Sequence, residues 1–94
     1  MKVLNFGSLN IDYVYDVDHF VQPGETISSN NLEIFNGGKG FNQSIALSRA
    51  GITVFHAGMI GDDGEELLLA LKDEGVDVTN VRACEAKTGH AVIQ

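Results

Sequence analysis

The sequence is poor in cysteine, proline and cations. It has one cysteine, Cys84, in 94 residues, so no disulfide can form within the chain, and we expect a reducing compartment, the cytoplasm. Lysine and arginine number 6 against 13 aspartate and glutamate residues, which gives a net charge of −7. Nucleic acids and anionic membranes both require clustered cations, so neither is an expected partner.

Long apolar runs are also lacking. No run approaches the ~18 residues that a membrane-spanning helix needs, and a strand-like segment begins directly after Met1 and Lys2. We therefore expect neither a membrane span nor a signal peptide. One proline, eleven glycines and 44% hydrophobic residues are typical of an ordered chain with a core.

Three glycines, a lysine and two amide side chains are concentrated in residues 36–44. Glycines permit positive φ angles and a close approach of the backbone to a ligand. An apolar, alanine-rich run follows and stops at Gly51, as a helix that ends at a glycine would. This pattern predicts a loop that opens a helix from about Gly38 to Ala50, with the first N–H groups facing a polar or anionic ligand.

Two common glycine-loop motifs do not fit this stretch. A Walker A loop requires Ser or Thr after Gly-Lys, whereas Gly40 follows Lys39. A dinucleotide fingerprint requires a third glycine, but the spacing places Gln43 there.

The motif resembles the first signature of the ribokinase-like (PfkB) sugar kinase family, and ribokinase-type members above all. That signature is a Gly-Gly pair, a helix bearing Asn, a spaced Gly and then Gly-Asp. Residues 37–44, Gly51 and residues 58–63 are similar to it in the same order. Phe41 departs from the pattern, because alanine is usual at its place in the family.

Three further segments resemble the family along the rest of the chain. Residues 6–12 resemble its first strand and sugar-contacting turn, residues 23–26 a turn of its lid, and residues 88–93 a later strand beside the substrate. Family members are roughly three times longer, a length that one α/β domain can reach. The resemblance therefore implies that residues 1–94 are the N-terminal part of a single kinase domain, without the nucleotide-binding part.

The fold class that we expect is α/β: the N-terminal part of a ribokinase-like three-layer α/β/α fold with a mainly parallel sheet and a small projecting β-lid. Residues 13–36 are too long for an ordinary connection and too strand-like for a disordered loop. Together with residues 88–94, they are expected to form the lid. The predicted strands are 2–9, 13–18, two short ones within 26–35, 53–60, 76–82 and 88–94, and the predicted helices are 38–50 and 65–74.

The segment between the predicted strand 53–60 and the predicted helix 65–74 contains Asp62 and Asp63, and Glu65 begins the helix. Calcium-binding loops need oxygen ligands at alternate positions, and this spacing does not provide them. We predict instead that Asp62 or Asp63 is the N-cap of the second helix.

The candidate substrate-binding residues are Asn10, Asp12, Gly38, Lys39 and Asn42. Asn10 and Asp12 follow the first strand at the sheet edge where open α/β sheets bind ligands, and their side chains can bind sugar hydroxyls. The alternative is that both merely form an Asx turn. The other three would offer a backbone N–H, an ammonium and an amide to the same sugar. The alternative there is a tight turn with a solvated lysine.

The resemblance implies an enzyme that transfers the γ-phosphoryl group of ATP, with Mg²⁺, to a primary hydroxyl of a small sugar. Ribose is the first choice, and fructose-type sugars and nucleosides are alternatives. It also implies a homodimer formed through the β-lid. No catalytic, cofactor-binding or metal-binding residue is predicted within the chain, and His56 is expected to pack in the core. A different possibility is a non-catalytic sugar-binding or dimerisation module.

Overall fold

The structure, a computed structural model, describes residues 1–94 as six strands and two helices in α/β order. The elements are β1 (Lys2–Phe6), β2 (Asn10–Asp16), β3 (Asn31–Gly37), α1 (Lys39–Arg49), β4 (Thr53–Ile60), α2 (Glu65–Asp73), β5 (Asp77–Ala83) and β6 (Gly89–Ile93).

The main sheet contains β1, β4 and β5 in that order, and all neighbours are parallel. Both crossovers, through α1 and then α2, step in the same direction across the sheet. Since such connections are right-handed, both helices lie on the same face. This confirms the expected α/β class with a mainly parallel sheet.

The core lies between the main sheet and its two helices. Val54 and Ile60 of β4 and Leu67 and Leu71 of α2 are at most 5% exposed. Burying a side chain of this size stabilises the fold by about 1.5–3 kcal/mol. The opposite face of the same sheet is bare: Leu4, Phe6 and Met59 are 64%, 83% and 62% exposed.

A second sheet, which we call the projecting sheet, has the order β3-β2-β6. Strand β2 pairs antiparallel with β3 and parallel with β6. A small second sheet was predicted here, but several predicted strand bounds were wrong. Strand β1 of the main sheet ends at Phe6 rather than at residue 9. Strand β2 begins at Asn10 rather than at residue 13, and residues 26–35 contribute to one strand rather than two.

Both helices end at glycines, as predicted: Gly51 and Gly75 follow the helix ends with φ of 87° and 83°. The predicted N-cap of α2 is wrong, because Gly64 occupies that position and no side chain caps the helix. The Asp63 carboxylate instead accepts a hydrogen bond from the Thr88 N–H at 2.7 Å, and the hydrogen bonds from Thr88 lower its pKa. Neither helix is long and apolar enough to cross a membrane.

Candidate functional site

The five predicted substrate-binding residues lie in two segments: Asn10 and Asp12 at the start of β2, and Gly38, Lys39 and Asn42 at the start of α1. Strand pairing brings them together, because Asn10 at the start of β2 pairs with Gly37 at the end of β3. Gly38 follows directly and precedes the first residue of α1. A methyl group placed at Gly38 would lie 3.2 Å from the backbone nitrogen of Asn10.

Asn10 and Asp12 lie on one face of β2, since they are two residues apart in a strand. Both register partners of Asn10 are glycines, Gly37 on β3 and Gly89 on β6. A methyl group at Gly89 would lie 2.8 Å from Asn10 Oδ1, and one at Gly37 would overlap the Asp12 carboxylate. The two polar side chains therefore occupy space that only glycine leaves free.

The start of α1 presents its backbone to the same place. Gly38 has φ of 102°, a conformation that favours glycine, and its N–H donates no hydrogen bond within the chain. The Phe41 N–H donates to the Ser8 carbonyl at 3.0 Å, which fixes the first turn of α1 to the segment between β1 and β2. The helix dipole adds partial positive charge at this end.

The side chains of Asn10, Asp12, Lys39 and Asn42 make no hydrogen bond or ion pair within the chain, although polar contacts are common elsewhere in the structure. The ion pairs join other residues, among them Arg49 with Glu74 and Lys87 with Asp62. Asn10 and Asp12 are half-buried and do not form the Asx turn of the alternative interpretation. Unpaired polar groups at one place are available to a polar ligand.

Sequence reasoning missed Phe35 in this region, and it gave no individual role to Gly89 and Ser8, which lie within segments that it had singled out. Gly89 provides room beside Asn10, and the Ser8 carbonyl holds the first turn of α1. Phe35 is the register partner of Asp12 and therefore lies on the same face; it is 49% exposed and forms an apolar border. The positions of Phe35 and Gly89 become visible only once the register of β2 with β3 and with β6 is known.

The donor set of the chain does not suit a metal ion. No three His, Cys, Asp or Glu side chains come together in the structure in a way that could hold one. His19 pairs with Glu25 in an exposed loop, and His56 is fully buried, as predicted, with its pKa lowered by burial.

The arrangement of a parallel α/β sheet, a glycine-opened helix and a small second sheet matches that of solved ribokinases. The crystal structure of ribokinase from Cryptococcus neoformans in complex with ADP matches with a TM-score of 0.89 and 43% identity, over 97% of this chain and 29% of that one. Arabidopsis thaliana ribokinase, complexed with ribose and ATP, matches with a TM-score of 0.84 and 33% identity, over 97% of this chain and 30% of that one.

The family follows from the sequence itself. The profile of the pfkB family carbohydrate kinases matches residues 1–94. Ribokinase of Haemophilus influenzae is 41% identical over 91 residues, which cover 94% of this chain and 30% of that protein. The chain belongs to the pfkB family of carbohydrate kinases. It spans about three tenths of the length of the curated relatives that it matches.

Proposed function

We propose that this chain provides the sugar site of an ATP-dependent carbohydrate kinase, with ribose as the preferred substrate and the cytoplasm as its location. The observation that carries the proposal is the convergence of unpaired polar groups from β2 and α1 beside Gly37 and Gly89. The relatives support ribose in particular, since several are ribokinases and one was crystallised with ribose and ATP.

Each site residue has a role that its chemistry allows. The Asp12 carboxylate accepts hydrogen bonds from two neighbouring hydroxyls, and the Asn10 amide both donates and accepts. The Gly38 N–H, the Lys39 ammonium and the Asn42 amide donate from the opposite side. Holding the sugar by several groups fixes the direction of its primary hydroxyl, and such positioning supplies much of the rate in phosphoryl transfer.

ATP supplies the transferred phosphoryl group when it is bound, together with Mg²⁺. The glycine loop of this chain lacks the Walker A pattern that cradles nucleotide phosphates. In this proposal the catalytic base and the nucleotide site belong to other parts of the intact protein, and the role of residues 1–94 is to bind and orient the sugar.

The proposal is tested by a coupled assay of the intact protein as its gene encodes it. We expect ATP-dependent phosphorylation of ribose with a higher kcat/KM than for fructose or adenosine. Residues 1–94 alone should show no turnover, because a phosphoryl transfer needs a nucleotide cradle and a base in line with the acceptor. Turnover by the purified segment, or none by the intact protein on any of the three substrates, would contradict the proposal.

The coding sequence after Gln94 separates this proposal from a non-catalytic binding module. A continuation that contains a second glycine-rich motif with an aspartate agrees with the kinase. A stop codon directly after Gln94 would favour the module.

We also propose that the intact protein dimerises through the projecting sheet, on the face away from Asn10 and Asp12. Ile34 and Val92 are the register partners of Tyr13 on its two sides and are 58% and 66% exposed. Beside them lies an apolar hollow of about 270 Å³, lined by residues that include Tyr15 and Val92. A three-stranded sheet with an exposed apolar face gains stability when a second copy covers it.

Changing Ile34 and Val92 to Asp should convert the dimer to a monomer, measured by sedimentation of the intact protein. Tyr13 is a poorer choice for this test, because it also packs against the core. The matched control is Leu69→Asp, an apolar residue on α2 that is 49% exposed and lies outside the projecting sheet. A dimer that persists in the double variant would exclude this face as the interface.

A further inference from the structure

Three polar side chains from three different elements meet inside the core. Asn5 of β1 and His56 of β4 are register partners on adjacent strands, and Ser44 of α1 lies against both. The Asn5 Nδ2 donates to Ser44 Oγ at 3.0 Å, and Ser44 Oγ lies 2.6 Å from His56 Nδ1. Ser44 and His56 are 0% exposed. We call these three residues the core network.

The direction of every hydrogen bond in the core network follows from its ends. His56 Nε2 lies 3.1 Å from the Gly7 carbonyl oxygen, which can only accept, so Nε2 carries the proton. In a neutral imidazole the other nitrogen, Nδ1, then accepts from the Ser44 hydroxyl. Ser44 Oγ in turn accepts from Asn5. Every buried side-chain polar atom in the structure has a partner, so the chain of donors and acceptors is complete.

A protonated His56 would break this order. With a proton on Nδ1, the Ser44 hydroxyl would have to accept from both neighbours, and its own proton would have to turn away from His56. The elements packed around the ring, β1, β4 and α1, contribute Asn5, Gly58 and Ser44, and the segment after β1 contributes the Gly7 carbonyl. No carboxylate or cation faces the ring. Burial therefore lowers the pKa of His56, and the hydrogen bond to Gly7 opposes this only in part.

The core network ends on the two backbone segments that carry the site. His56 binds the Gly7 carbonyl, and Asn5 Nδ2 also donates to the Gly40 carbonyl at 2.9 Å. Gly7 and Gly40 are in direct backbone contact, since a methyl group at Gly7 would lie 2.7 Å from the Gly40 Cα. Gly7 leads into Asn10 and Asp12, whereas Gly40 lies in the first turn of α1 beside Gly38 and Lys39.

We propose that Asn5, Ser44 and His56 are positioning residues that fix the start of β2 against the start of α1, and that sugar binding therefore requires His56 in its neutral form. This inference rests on the proposed function, because it concerns the same site. A network with a purely structural role would stabilise the fold without setting the geometry of the site. The two roles differ in what a mild substitution changes.

The test uses Ser44→Ala and His56→Gln in the intact protein, with Val54→Ala as the matched control. Ser44→Ala deletes the central hydroxyl and little volume, and His56→Gln retains an amide that can donate to Gly7. Val54 lies on the same buried face of β4, is 1% exposed and has no part in the network. All three variants should lower Tm.

We expect the KM for ribose to rise about three- to tenfold in Ser44→Ala and His56→Gln, with kcat changed less than about twofold, and no rise in KM in Val54→Ala. In the parent protein, the ribose KM should also rise at acid pH, but only below the range in which a free imidazole titrates, because burial lowers the pKa of His56. That rise should be absent in His56→Gln. Network variants whose KM equals that of the control would overturn the inference.

Amide hydrogen exchange provides a readout that does not depend on activity. The Gly7 N–H donates to the Ala57 carbonyl and the Phe41 N–H to the Ser8 carbonyl, so both report on the joined segments. Exchange at these two amides should be faster in Ser44→Ala than in Val54→Ala. Equal exchange in the two variants would refute positioning, even if ribose proves not to be the substrate. If the parent protein does not phosphorylate ribose, but exchange is still faster in Ser44→Ala than in Val54→Ala, only the proposed function is contradicted.

Discussion

The molecule contains two sets of polar side chains, which differ in whether they are hydrogen-bonded within the chain. The side chains of the core network are hydrogen-bonded to one another and to the backbone, and every buried side-chain polar atom among them has a partner. The side chains of Asn10, Asp12, Lys39 and Asn42 have no partner within the chain. A buried polar group without a partner costs about 1–3 kcal/mol, so the first set must be complete. The second set can stay open because it reaches solvent, and a ligand can complete it.

The largest effect should come from removing the carboxylate of Asp12, which has no partner within the chain. Asp12→Ala in the intact protein deletes charge-assisted hydrogen bonds worth about 1.5–3 kcal/mol each, so sugar affinity should fall on the order of ten- to several-hundredfold. Affinity for ATP should change little. Calorimetric titration with ribose measures the affinity. The control variant is Asp16→Ala, which removes an exposed carboxylate on the same face of β2 and should leave the affinity unchanged. Equal affinities in the parent protein and Asp12→Ala would remove Asp12 from the site.

A smaller effect should come from pushing apart the two backbone segments that touch at Gly7 and Gly40. A methyl group at Gly40 would lie 2.5 Å from the Gly7 Cα, a backbone atom that no side-chain rotation can move. Alanine is the better helix former by about 1 kcal/mol, but the overlap should outweigh this preference and give a net loss of about 2 kcal/mol in unfolding free energy. Sugar affinity should fall as well.

The control for Gly40→Ala is Gly51→Ala, measured by the same denaturant titrations and sugar binding. Gly51 has φ of 87° and open space around it, so alanine there costs about 1–2 kcal/mol of backbone strain without touching the site. Sugar affinity should be retained in this variant. A Gly40→Ala protein as stable as the parent would show that the two segments can move apart.

The smallest effect should be the pH dependence of stability that His56 of the core network introduces. The unfolded chain protonates His56 near pH 6.5, whereas the folded chain does so only at lower pH, because burial lowers the pKa. The unfolded state thus binds more protons in this interval, and the unfolding free energy should decrease as pH falls from 7.5 towards 5.

Carboxylates act in a different pH range, which keeps the test specific. Hydrogen bonds lower the pKa values of Asp63, Glu74 and Asp77, so their contributions are lost only below about pH 4. Thermal unfolding between pH 5 and 7.5 should show the slope in the parent protein and a weaker slope in His56→Gln. A slope of the same size in both proteins would assign it to another group.

Local patterns predicted the elements whose signals are complete within a few residues. Strand β4 lies over Thr53–Ile60, as its apolar run indicates, and α1 and α2 end where Gly51 and Gly75 allow a positive φ. Strand β2 was placed too late, because the polar residues at its start do not look like a strand. They belong to one because they pair with glycines far away in the sequence, Gly37 and Gly89.

The core network was only half visible in the sequence. His56 was expected to be buried, but its partners were not identified. A usable signal did exist: apart from Lys2 and Thr53 at the strand starts, Asn5 and His56 are the polar residues of β1 and β4, and parallel pairing places them side by side. That pairing depends on the register between β1 and β4, which no local pattern specifies.

By itself, the sequence determined the family, the two helices and the types of group that could bind a sugar, because glycine positions, apolar periodicity and motif order are properties of neighbouring residues. The tertiary structure decided which polar groups have hydrogen-bond partners within the chain and which do not. Strand register placed Asn5 beside His56 and placed glycines on both sides of Asn10. The reason is physical: a hydrogen bond depends on distances of about 3 Å between atoms, and only the packing of distant segments brings those atoms together.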